Sequence, residues 1–368
     1  MKDLLRFEVH KIFSQKSVLL GVIASFMIAF YFLFQMVLPQ DISHLYEPWE
    51  GPITQDKLQT IESEYSQFSE ENELSWIEFK QKSALSDIML FDEFRDNNND
   101  RINHLKDKLE LTDSGSYNFR NINVHLELLE KISYQNYYYK LPAEQILNFV
   151  GIGGFVILGA LILIGISPIY SEEATSGVYQ QMLCAKHGRK TIVHSKLLAS
   201  MLYVLVITVA IVIFDFLFWT IAYSNVGWNA IIQTINNFES SPYSFDIGTY
   251  FIIKVFYLFI GGCSFAIFVN LISALTNNTI ISFIISSFIL GLQGQMITGM
   301  YDLPLVIRTL LDFSHVKGMM VDELFQNFKT YNFFGYPVLY PIVYLIGISL
   351  ITAILIYINY KVIQKKQF

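Results

Sequence analysis

The chain has 368 residues, 53% hydrophobic and 15% charged, with a formal net charge of −7. Soluble chains of this length carry nearer a quarter charged residues, and here the apolar residues come in long blocks; composition therefore excludes an ordinary soluble globule and points to a membrane protein. The charge is uneven: residues 39–145 hold 10 Lys/Arg against 21 Asp/Glu, the remainder 15 against 11, and no basic surface suggests nucleic acid as a partner.

In chain order, residues 1–17 read as an interfacial helix. Leu5, Val9, Ile12 and Phe13 share one face, Arg6, His10 and Ser14 lie opposite, and Phe7 breaks the pattern. Residues 18–38 form a first span, too long for a signal sequence and without a small-residue cleavage site, hence a retained anchor. Residues 39–145 form an extramembrane domain. Its apolar residues recur at helical spacing (Leu58, Ile61, Tyr65, Phe68; Ile102, Leu105, Leu109; Ile122, Leu126, Leu129, Ile132), and polar breaks at 96–100 and 112–116 predict three or four bundled helices. The second span, 146–170, follows Pro142 and contains Gly151, Gly153, Gly154, Gly159 and Gly165, which let neighbouring helices approach closely. Residues 171–196 are a polar loop, 197–223 a third span, 224–248 a polar outer loop, 249–275 a fourth span and 279–297 a fifth. Residues 298–336 are mixed, with amphipathic stretches at 303–311 and 321–328 expected to dip into the interface. The sixth span is 338–360, followed by a basic tail, 361–368.

Basic residues in short flanks set orientation. Lys2, Arg6, Lys11 and Lys16, then Lys186, Arg189, Lys190 and Lys196, then Lys361, Lys365 and Lys366 all fall on one side of a six-span chain. That side is expected to be cytoplasmic, with both termini there and the acidic helical domain outside. Trp219, Tyr223, Trp228 and the run 137–139 are expected as aromatic anchors at the outer interface. Cys184 in a loop and Cys263 in a span are not expected to meet, and no cysteine pattern suggests zinc or another metal.

Catalytic motifs are lacking. A phosphate-binding loop needs G-x-x-x-x-G-K-[ST]; the string at Gly188 has no upstream glycine. H-E-x-x-H is absent. Glu172 and Glu173 invite a membrane-protease reading, but the fourth residue after Glu173 is Gly177 and not arginine. Asp215 and Lys254 are the ionisable residues inside spans, both in the outer leaflet. Either alone in lipid costs roughly 3 kcal/mol or more, so they are expected to pair, as a helix tie or as a substrate or ion contact.

The informative stretch is 171–200. Glu172 and Glu173 suit a helix start, and Tyr179, Met182 and Leu183 would project an apolar face from a polar loop, which calls for a partner. The stretch resembles the cytoplasmic loop of ATP-binding-cassette type-2 (ABC type-2) permeases: Glu173, Gly177 four residues on, an amphipathic segment 178–183, Arg189, and Lys196 at the next span. It departs from that family at His187 and Gly188, where proline and serine are frequent. Glu8 and Lys11 match the family's amino-terminal elbow helix, and the Asn277-Asn278 turn and the long segment before the last span also fit. The resemblance covers the six-span core and leaves out 39–145. It implies an all-α membrane protein of six transmembrane helices with an elbow helix and a helical extracellular domain. It further implies a transporter subunit that binds no cofactor itself, ATP and Mg belonging to a partner ATPase that grips the coupling helix, and a second permease copy as homodimer or heterodimer. Export of a hydrophobic or amphipathic compound, an antimicrobial peptide or antibiotic, is the favoured function. The alternatives are a sodium or drug exporter permease, a non-transporting sensor with an extracellular ligand-binding domain, and a membrane enzyme. Composition suggests the plasma membrane of a low-GC Gram-positive bacterium.

Overall fold

A computed structural model describes residues 2–37, 40–68, 74–176, 188–223, 225–299 and 304–365. The chain is all-α in class, 76% helical with 13 helices among the described residues. In chain order these are α1 (Lys2–Phe13), α2 (Lys16–Met36), α3 (Gln55–Tyr65), α4 (Trp76–Glu110), α5 (Tyr117–Leu129), α6 (Leu141–Ile166), α7 (Ser171–Ser176), α8 (Gly188–Tyr223), α9 (Ile247–Thr276), α10 (Thr279–Thr298), α11 (Leu305–Asp312), α12 (His315–Met319) and α13 (Tyr340–Lys365). Six are long and apolar enough to cross a membrane: α2, α6, α8, α9, α10 and α13. Among the described residues there are also two short antiparallel strand pairs. β1 (Gly51–Pro52) pairs with β2 (Asn136–Tyr137), and β3 (Thr330–Phe333) pairs with β4 (Tyr336–Leu339).

The bundle is built around α6 and α9, whose apolar stretches are mostly buried, whereas α2, α10 and α13 present apolar faces outward. Buried polar ties fix the central helices to one another. Asn270 donates to Ser200 Oγ at 2.8 Å, Ser273 Oγ to the Ser167 carbonyl at 2.7 Å, and Tyr203 OH to the Leu161 carbonyl at 2.8 Å. Small residues bring backbones together as well: a Cβ on Gly261 of α9 would lie 2.8 Å from the Gly318 carbonyl carbon of α12. The turn between α9 and α10 follows from its two asparagines. Asn277 takes a left-handed conformation (φ 49°) that ends α9, and the Asn278 side chain accepts from the amides of Ile280 and Ile281 to start α10.

Several boundaries differ from expectation, each for a physical reason. α8 starts at Gly188 and runs without a break into the apolar stretch, so Arg189 and Lys196 lie on a helix and not in a loop. The polar Ser195 and Lys196 are accommodated because they are buried against other elements. Of the loop expected at 224–248, residues 225–248 form an apolar-cored cap: Ile232, Ile235, Phe238 and Tyr243 are buried, and Gln233 donates to the carbonyls of Ser241 and Tyr243. Of the two stretches expected at the interface, α11 is exposed, with Leu305, Val306 and Leu310 outward. The turn Val321–Leu324 is tucked into the bundle beside α12, with Val321 and Leu324 buried. The expected aromatic anchors are in good part internal. Trp219, Tyr137 and Tyr139 are buried; Trp219 packs with Leu33 and Ile146, and Tyr139 lies 4.8 Å from Tyr46. Aromatic area gains more here from packing between elements than from a bilayer boundary.

Helices α3 and α5 pack on α4 around Ile61, Leu85, Ile88, Phe91 and Leu129. Ser75 caps α4 reciprocally with Glu78, and Ser116 caps α5. Helix α5 is tied to the hairpin β3–β4 ahead of α13. Arg120 Nε donates to the Gly335 carbonyl at 2.7 Å, and Thr330 Oγ1 donates to Asn121 at 2.7 Å. The hairpin turn itself needs positive φ at both Phe334 (50°) and Gly335 (86°).

Candidate functional site

Three of the expected coupling residues, Glu172, Glu173 and Lys196, come together at the end of the bundle that carries the N-terminus. On α1, Glu8 and Ile12 are one turn apart and both buried, so the helix turns a carboxylate inward together with its apolar face. Lys196, on α8, is fully buried opposite it. Its ammonium donates to Glu8 Oε2 at 2.9 Å, to Glu173 Oε1 at 2.6 Å and to the Ile169 carbonyl at 3.0 Å, which uses all three of its protons. The Tyr170 ring lies 5.3 Å from the same nitrogen. Lys11 Nζ reaches Glu173 Oε1 at 2.9 Å and lies 3.9 Å from Glu172. Burial holds the Glu8 carboxyl above its ordinary range; Lys196 opposes this and Glu173 adds to it.

The cluster is a clamp joining three elements: the elbow helix α1, the turn and short α7 after α6, and the start of α8. Glu173 and Lys196 lie inside it, while the Glu172 side chain is about half exposed. Glu173 and Lys196, both expected among the ATPase-coupling residues, are buried, Glu173 on α7 and Lys196 on α8. Gly177, Tyr179, Met182 and Leu183 lie outside the described residues, as does Cys184. The backbone of Arg189 begins α8, and its side chain lies outside the described set.

The second polar cluster corrects an expected pair. Lys254 of α9 is buried, but its partner is Asp322, at 2.7 Å, and not Asp215. Tyr250 OH donates to the same carboxylate at 2.8 Å, and Gly151 of α6 leaves the room: a Cβ there would sit 2.8 Å from Lys254 Nζ. Asp215 of α8 is fully buried, and neither of its oxygens makes a hydrogen bond among the described residues. The reason is topological. The turn Val321–Leu324 folds back beside α9 and delivers Asp322 to the ammonium. Sequence reasoning missed Asp322, although an acid opening an otherwise apolar stretch was a usable sign. A carboxylate at position 8, amid Leu5, Val9 and Ile12, was likewise a sign of a buried cation to come.

Six apolar spans around glycine-lined contacts, with buried charges joined in pairs and clusters between helices, define a polytopic membrane protein. The chain belongs to the ABC-2 transporter family: the profile described as ABC-2 family transporter protein matches residues 58–358. It is thus a permease, the membrane component of an ABC transporter, without an ATPase of its own. The match includes α3–α5, which the sequence resemblance had left aside. Comparison with curated proteins and with solved structures gave no match.

Proposed function

We propose that this permease is the membrane half of an ABC exporter, moving a hydrophobic or amphipathic compound, with antimicrobial peptides or antibiotics favoured, on ATP hydrolysed by a separate subunit. The observation that carries the reading is the clamp of Glu8, Glu173 and Lys196. It secures both roots of the 177–187 segment to the elbow helix, so a push on that segment is delivered to α6 and α8 together. Tyr179, Met182 and Leu183 are the apolar contacts for the ATPase, and Arg189 a polar one. The clamp end faces the cytoplasm, in keeping with its lysines and arginines, and the α3–α5 domain faces outward. Two permeases flank the route, and the outward apolar faces of α2 and α10 supply surface for that pairing.

The test is co-expression with a candidate ATPase subunit. The ATPase is expected to co-purify, and Tyr179→Ala with Leu183→Ala should leave an inserted, folded permease that loses substrate-stimulated ATP hydrolysis. Undiminished stimulation in that variant counts against the segment as the lever. A permease that binds no ATPase and still responds to an external ligand would instead be a sensor.

A further inference from the structure

Beside the clamp, a cleft of about 580 Å3 lies between the first turns of α8 and the last turns of α13. Lys190, His194, Tyr357, Tyr360 and Lys361 line it. Lys190 opens one candidate span and Lys365 closes another, so the cleft lies at the ends of two membrane-crossing helices. Lys190 and Lys361 are both exposed, and neither forms an ion pair among the described residues. Among those residues no acidic side chain lines the cleft. Lys361 Nζ is held 5.4 Å from the Tyr357 ring centroid, and His194 Nδ1 is 3.3 Å from Tyr360 OH. Toward the bilayer, α13 continues with Ile346, Leu350 and Ile354 exposed at four-residue spacing, in line with Tyr357. A cationic mouth therefore stands over an apolar stripe.

The positive-inside rule accounts for lysines at helix ends. It does not account for lysines from two helices, distant in sequence, converging on one cavity with tyrosines between them. We propose that this cleft binds the headgroup of an anionic phospholipid. Lys190 and Lys361 hold the phosphate, the tyrosines and His194 supply hydrogen bonds, and an acyl chain lies along Ile346, Leu350 and Ile354. Lys190 is two turns before Lys196 on α8, so an occupied cleft braces α8 against α13 next to the clamp. The inference requires only that these helices cross a bilayer, and it stands or falls separately from coupling to an ATPase.

The experiment uses the purified full chain in detergent. Phosphatidylglycerol, phosphatidylcholine and inorganic phosphate are titrated separately, with retained lipid counted by native mass spectrometry and stability followed by thermal unfolding. Phosphatidylglycerol is expected to bind and stabilise, phosphatidylcholine to do so far less, and phosphate not at all. Lys190→Gln with Lys361→Gln should weaken phosphatidylglycerol binding about thirtyfold. Replacing both by arginine should preserve it. Lys108→Gln with Lys131→Gln, two exposed lysines of the α3–α5 domain, should leave it unchanged. Equal binding of the two lipids, displacement of lipid by phosphate alone, or full phosphatidylglycerol binding by the glutamine variant would each overturn the proposal.

Discussion

A lysine with no exposed surface is tolerated only when every proton of its ammonium has a home, and Lys196 meets that condition through Glu8, Glu173 and a carbonyl. Lys196→Met leaves two carboxylates facing each other in a buried site, and a loss of about 3–5 kcal/mol is expected in thermal unfolding. The Glu8 carboxyl, held above its ordinary 4.5 by burial, binds its proton more tightly in the folded chain than in the unfolded one. The stability contributed is complete below pH 4.5 and fades as pH rises through the raised value. Glu8→Gln should therefore flatten the dependence of melting temperature on pH above 4.5; an unaltered slope would show that Glu8 is charged throughout. For Lys254 the double-mutant cycle to run is with Asp322. Exchanging those two charges should recover part of what each single reversal loses, whereas exchanging Lys254 with Asp215 should recover nothing.

Elements are held by contacts of a different kind, close backbone approach and stacked rings. Gly261→Ala would place a methyl 2.8 Å from the α12 backbone, where no flexible side chain can yield. About 1–3 kcal/mol of destabilisation is expected, as for other overpacked sites, with α12 displaced from α9. Helix α5 meets the segment before α13 partly through His125, whose ring stacks on Phe328 at 4.0 Å. Burial, with a smaller push from Arg101, lowers its pKa from 6.5 to about 4. The folded state thus disfavours the proton, and the associated stability is present above pH 6.5 and lost as pH falls toward 4. Hydrogen exchange in α5 and the β3–β4 hairpin should rise over that interval, and His125→Phe should remove the rise.

At the scale of the whole molecule, the proposed cytoplasmic placement of the clamp end is tested with the chain's own thiols. Cys263 is buried in α9, so Cys263→Ala leaves Cys184, in the segment between α7 and α8, as the single thiol of a chain with two cysteines. A membrane-impermeant maleimide is expected to label that variant in inside-out vesicles and not in intact cells. Labelling from outside would invert the molecule and place the clamp away from any ATPase. The same scale shows what could be read early. All six spans were legible as blocks, because about twenty apolar residues in a row admit few other environments. Their ends were less so: α8 extends nine residues before the predicted start, and Lys196, which looked like loop, is taken into the clamp by Glu8 of α1 and Glu173 of α7.

Class, span number and family likeness were determined by the sequence alone, because hydrocarbon imposes length and composition on each crossing helix independently of the others. The partners of the buried charges were decided only in three dimensions. Lys196 meets a glutamate 188 residues away and Lys254 an aspartate 68 residues away. No local pattern encodes such a pairing: burial makes a charge seek a partner, while the packing of α1 against α8, and of the α12 region against α9, chooses which one it finds.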